Sequence, residues 1–143
     1  MITFKVEENV SKTLQAKLAR LRDIRRPLEQ VAQMLVESTR RRIKSTKTDP
    51  DGNRWEPWAS STMAARERNG TAGGGLLYET GSLWSTIRGR VQGRTAVVTS
   101  DEPYVKYLQL GTTKMPARPF MGISKQDARN TTSIMNAHIR GDK

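Results

Sequence analysis

A single histidine, His138, and the complete lack of cysteine set narrow limits on the chemistry open to this chain. Without thiolates there is no disulfide framework, no cysteine-ligated zinc or iron–sulfur site and no cysteine nucleophile. One imidazole rules out any metal site built on two within one chain. His138 lies near the end of a C-terminal helical pattern, where the helix dipole favours a cation, so a structural place suits it better than a catalytic one. The run Asp49-Pro-Asp-Gly-Asn53 invites a calcium reading, but an EF-hand loop needs Gly at its sixth position and Glu at its twelfth. Counted from Asp49, those positions hold Arg54 and Ser60, and turn chemistry is what remains. Gly73-Gly-Gly75 is not followed by the Gly-Lys-Ser/Thr of a phosphate loop. Gly-x-Ser-x-Gly is absent, and no pair of carboxylates stands in an apolar setting. These residues point away from an enzyme, and no cofactor, metal or small-molecule substrate is expected.

Charge is the stronger signal. The chain of 143 residues holds 25 Lys plus Arg against 14 Asp plus Glu, a formal +11. From Ser11 to Lys47 there are eleven Lys or Arg against three acids, so this segment carries +8 of that total. Arg22, Arg25, Arg26, Arg40, Arg41, Arg42 and Lys44 make up its two dense runs and are expected to form a basic surface. Such a surface serves as a solvated helix face, as a dock for an acidic protein, or as a contact for nucleic acid. No zinc finger, basic zipper or RNA-recognition signature accompanies it. No stretch approaches the ~18 apolar residues of a membrane span, and the N-terminus lacks the apolar run of a signal peptide. The expectation is a soluble intracellular protein without a membrane partner.

The elements that must position these residues can be read from periodicity. Residues 2–7 alternate as a half-buried strand does. Ser11 is the expected cap of a first helix carrying Leu14, Leu18 and Leu21. Proline suits the first turn of a helix and not its interior, so a break at Arg26 and a restart at Pro27 are expected. The second helix then runs from about 27 to 46, with Leu28, Val31, Ala32, Leu35, Thr39 and Ile43 inward and Glu29, Gln33, Glu37, Arg40 and Lys44 outward. A short helix from Ser60 or Ser61 to Arg68 precedes a flexible glycine loop at 69–75. Another short helix follows, capped by Thr80 or Ser82. Strands 87–92 and 96–100 flank a turn, and a helix within 102–111 is ended by Gly111. Pro116 and Pro119 keep 115–122 extended. Ser124 caps a last helix, about 125–140, with Ala128, Thr131 or Thr132, Met135 and Ile139 inward.

Aromatic residues are few and clustered. Trp55, Trp58, Tyr78 and Trp84 flank the glycine loop, and Tyr104, Tyr107 and Phe120 flank Gly111. They either fill the core or anchor an interface between subunits.

Four motifs in order carry a resemblance: Asp51-Gly-Asn-Arg-Trp-Glu-Pro-Trp58, Leu76-Leu-Tyr-Glu-Thr-Gly-Ser-Leu83, Tyr104-Val-Lys-Tyr-Leu-Gln-Leu-Gly111 and Pro116-Ala-Arg-Pro-Phe-Met-Gly-Ile-Ser124. Their succession over about residues 28–140 resembles the phage virion morphogenesis family, which includes the Mu-type morphogenesis protein and the P2-type tail completion protein. The resemblance implies a structural protein of the head–tail neck or tail end of a phage or prophage. Its partners would be other neck and tail proteins and copies of itself in a ring, with possible contact to DNA passing the channel. It would be placed in the virion after assembly in the host cytoplasm. The interface or structural residues would be Trp55, Trp58, Thr80, Gly81, Leu83, Tyr107, Gln109, Gly111, Arg118, Pro119 and Phe120. Arg118, held between two prolines, is expected to make a bidentate contact with a carboxylate or a carbonyl pair, within the subunit or across an interface, or else to cap a nearby helix end. The fold class is α+β in a single domain over 1–143: a long basic N-terminal helix and a C-terminal helix packed on a small antiparallel sheet.

Overall fold

The computed structural model of the chain describes residues 8–142, with side-chain environments from Lys12 onward; the strand expected at 2–7 lies outside that range. The order is α1 (Glu8–Arg22), α2 (Arg25–Arg41) running into a π turn (Arg42–Thr46), α3 (Ser60–Arg68), α4 (Ser82–Thr86), β1 (Arg88–Gln92), β2 (Thr95–Thr99), α5 (Val105–Leu110) and α6 (Lys125–Arg140). The class is α+β.

Helix α2 organises the rest. Pro27, Leu28, Val31, Ala32, Leu35, Val36 and Thr39 are its buried stripe, at the three- and four-residue steps of a helix face. It packs against both strands and against α6. Close approach to β1 depends on Gly89, because a Cβ there would meet Ala32 O and Val36 Cγ2 at 2.9 Å each. The strands pair antiparallel from Arg88 opposite Thr99 to Gln92 opposite Thr95, leaving Gly93-Arg94 as the two-residue turn. At its C-terminus the helix widens by one residue, with the Lys47 N–H bonding Arg42 O at 2.9 Å, the i→i+5 spacing of a π turn. The core gathers below this turn: Val36, Ile43, Trp55, Leu83, Ile87 and Phe120.

Several expected details change. Helix α1 begins at Glu8, so Ser11 lies inside the helix and not at its cap position. The break falls at Asp23–Ile24, and Pro27 sits within the first turn of α2 rather than opening it. Ala59 and Gly81 occupy the cap positions of α3 and α4 in place of Ser60, Ser61, Thr80 or Ser82. Thr80 still takes part, its hydroxyl accepting from the Ser82 N–H at 3.3 Å. Helix α6 spans the expected residues and starts with a full capping box, Ser124 Oγ accepting from the Asp127 N–H and Asp127 accepting from the Ser124 N–H. Its buried position is Asp127, whereas Ala128 is exposed. The leucines of α1 form no core: Leu14 and Leu18 are 54% and 53% exposed.

Candidate functional site

The extended 116–122 segment is fixed from three sides. Trp55 donates its indole N–H to Pro119 O at 2.8 Å. Arg118 donates Nε to Glu56 O at 2.9 Å and one terminal nitrogen to Pro57 O at 3.1 Å. The bidentate partner of Arg118 is therefore a carbonyl pair in its own chain, and its backbone N–H meets Leu108 O at 2.7 Å. From α5, Gln109 reads the same segment: Oε1 accepts from Phe120 N and Met121 N, both at 3.2 Å, and Nε2 donates to Met121 O at 2.8 Å. Gly111 lets the chain turn back after α5. Its φ is +75°, and a Cβ would lie 2.7 Å from Ala117 N, so no other residue fits without strain. The Gln-x-Gly pair and the Pro-Ala-Arg-Pro-Phe box are thus two halves of one device.

Below it lies a buried charge centre. Arg42 is 6% exposed, which corrects its expected place on the basic surface. It donates to Phe120 O and Gly122 O at 2.9 Å each, to Ser38 Oγ at 3.1 Å, and to Asp127 Oδ2 at 3.2 Å. The π turn carries this side chain inward beside Ile43. Burial alone would raise the Asp127 carboxyl, but hydrogen bonds from Ser38, from Ser124 and from Arg42 outweigh it and hold the group below the usual carboxylate range. Arg40 is also no free surface charge. It stacks 4.7 Å from the Trp84 ring and donates to Ile87 O at 3.0 Å. Arg22, Arg25, Arg26, Arg41 and Lys44 remain exposed, with Lys44 standing 5.4 Å from the same indole.

Lys47 is a residue the spacing did not single out. In the left-handed conformation at the end of the π turn, it donates to the carbonyls of Ile43, Gly74 and Leu76 at 2.5, 2.7 and 2.7 Å. It ties the C-terminal end of the glycine loop to the end of α2. Partial burial pushes its ammonium pKa down.

Above these ties is an open groove of about 740 Å³. All four sequence motifs reach it. Trp58 and Arg66 come from the first motif and α3, Tyr78 to Leu83 from the second motif, Tyr104, Tyr107 and Leu108 from the third, and Pro116 and Arg118 from the last, with Lys114 and Met115 just before it. Arg66 lies 4.7 Å over the Trp58 ring and pairs with Glu79 at 2.7 Å. Gly81 packs under the Tyr78 hydroxyl. Leu83 is buried at the floor, and Tyr107 stands 48% exposed at the rim. Partial burial, with Glu102 and Glu79 nearby, pushes the Tyr104 phenol up, so it stays a hydroxyl donor at neutral pH. Trp55 and Phe120 belong to the core, and Trp58, Tyr104 and Tyr107 to the groove. The groove offers aromatic faces, hydroxyls and paired charges, a surface suited to recognition. Among the described residues no group of three or more His, Asp or Glu could hold a metal, and no helix is long and apolar enough to cross a membrane.

A family profile described as the phage virion morphogenesis family matches residues 5–140, a span that takes in all four motifs and both long helices of the core. The chain belongs to the phage virion morphogenesis family. A curated relative from Haemophilus influenzae, "Mu-like prophage FluMu G protein 1", is 27% identical over 139 residues, covering 96% of this chain and 94% of that protein. No solved structure matches at a significant level. Membership makes this a phage structural or assembly protein that interacts with other virion proteins.

Proposed function

We propose that the protein serves in the head–tail neck or at the tail end of the virion, as a tail completion or connector subunit. It acts by forming a ring and docking on neighbouring components, with no bond made or broken. The observation that carries this reading is the convergence of four separated motifs on one open groove. Polar groups of these motifs are spent on ties within the chain: Arg118 on two carbonyls and Gln109 on three backbone groups. Ser82 at the groove donates its hydroxyl to the Glu102 carboxylate, but no histidine is among the groove's lining residues. What is exposed is shape and aromatic surface, the material of interfaces. The glycine loop at 69–75 supplies a segment that orders fully against a neighbour. Native mass spectrometry of the isolated protein and of purified particles tests the reading. Ring multiples within particles support it; absence from particles, or infectious particles from a phage deleted for this reading frame, would end it.

A second reading, a nucleic-acid-binding module on residues 11–47, keeps one supporting observation: Arg22, Arg25, Arg26, Arg41 and Lys44 are exposed along consecutive helices. It requires DNA affinity that falls steeply with salt.

A further inference from the structure

The ribbon of β1 and β2 has two unlike sides. Helix α2 packs on one of them. Gly89 faces the helix, since a Cβ there would meet Ala32 and Val36, and Val98, paired with Gly89, packs on the core. Side chains alternate along a strand. Arg88, Arg90 and Gln92 of β1 therefore point to the other side, together with their partners Thr99, Val97 and Thr95 on β2. Arg88, Arg90, Gln92 and Thr95 are exposed.

The charge on this outer side is unbalanced. Residues 87–100 hold three Arg and no acid. Other arginines find carboxylates: Arg25 pairs with Glu29, Arg66 with Glu79 and Arg140 with Asp142. Among the described residues the side chains of Arg88 and Arg90 have no hydrogen-bond or ion-pair partner. Arg94, at the turn, donates to Leu21 O at 3.1 Å, which holds the end of the ribbon beside the exposed Arg22.

The makeup of this face selects its partner. A protein interface is centred on buried apolar and aromatic anchors. Here the one apolar side chain is Val97, already half-buried. What projects is two unpaired guanidiniums, the Gln92 amide and the Thr95 hydroxyl. These are the groups that bind the oxygens of a nucleic-acid backbone, and the guanidinium fork matches a phosphate. We propose that the outer face of the β1–β2 ribbon holds the phosphodiester backbone of DNA through Arg88 and Arg90, without reading its sequence. The face lies across the ribbon from α2, so it is a site separate from the exposed bases of that helix, and it does not depend on the ring reading.

Fluorescence anisotropy of the full chain with a labelled DNA duplex of mixed sequence, across a salt series, tests this. Arg88→Ser/Arg90→Ser removes the two guanidiniums. Arg68→Ser/Arg129→Ser removes two exposed arginines outside the strands and controls for net charge. Urea midpoints establish that each variant is folded. The slope of log affinity against log salt is expected to be shallower by about 1.8 in the Arg88/Arg90 variant and by about 0.9 in either single variant. The control keeps the native slope, and so does Arg88→Lys/Arg90→Lys, which keeps the charge. No binding by the native protein at low salt, an unchanged slope in the serine variants, or an equal loss in the control overturns the proposal. So does poly-glutamate that competes, charge for charge, as well as unlabelled duplex, which would assign the face to an acidic protein.

Discussion

Removing the Asp127 carboxylate would strand the Arg42 guanidinium inside the protein. Breaking such a pair from one side costs about 3–5 kcal/mol, so Asp127→Ala is expected to lower the urea midpoint sharply. Arg42→Lys will not replace the native residue, because one ammonium cannot span Phe120 O, Gly122 O, Ser38 and Asp127 together. The pH dependence has a definite sign. The folded carboxyl titrates below its unfolded value of about 3.9, so its stabilisation is complete above that value and is lost as pH falls through the folded pKa. Asp127→Asn should lack this acid-side loss, which urea titrations between pH 3 and 7 measure. Gln109→Ala removes partners from two N–H groups and one carbonyl; a cost of about 1–3 kcal/mol is expected, with faster amide exchange at Phe120 and Met121. The family motif made Gln109 and Arg118 visible in the sequence, and Arg118 meets one of its expected alternatives, a carbonyl pair. Arg42 could not be read this way. It sits in a run of bases, and its carboxylate lies 85 residues away, at a distance no local pattern encodes.

At the scale of elements, what could be read was what local chemistry fixes. The Ser124 cap, the stripe of α2 and the turn after Gln92 each act within a few residues, and the corresponding elements stand close to where periodicity puts them, except that Thr95, read as part of the Gly93-Arg94-Thr95 turn, already pairs with Gln92 in the sheet. Periodicity also finds the leucine face of α1, but it reports only that a face is apolar, not what covers it. Substituting Leu14, Leu18 and Leu21 together by Gln should therefore change the stability of the isolated protein by no more than about 0.5 kcal/mol per site, measured by thermal or urea unfolding. Leu83→Ala, at the groove floor, should cost about 2–5 kcal/mol. Lys47 escaped notice because its three partners are carbonyls, which leave no signature in side chains. Lys47→Met is expected to raise hydrogen exchange across 74–78 while α6 keeps its protection.

For the molecule as a whole, burial of Arg42 reshapes the test of the DNA reading. Replacing Arg40, Arg41 and Arg42 together would damage the fold before it reported on binding. A variant with Arg22, Arg26 and Arg41 changed to Ser removes exposed charge and leaves the Lys44 contact with Trp84 in place. If DNA lies on this face, fluorescence anisotropy across a salt series should show a slope shallower by about 0.9 for each phosphate that is no longer neutralised. An unchanged slope assigns the face to protein or solvent.

The reach of Arg118 back to Glu56 has a consequence for how the chain is born. The two residues are 62 positions apart, and ribosomes add about 5–20 residues per second. Roughly 3–12 s therefore separate the making of Glu56 from the arrival of the arginine that fastens it. Until then Trp55 lacks Pro119, Arg42 lacks Asp127 and the groove has no far wall. A polypeptide that ends before Arg118 therefore has neither of these ties, and the groove takes its shape only once the 116–122 segment has been made.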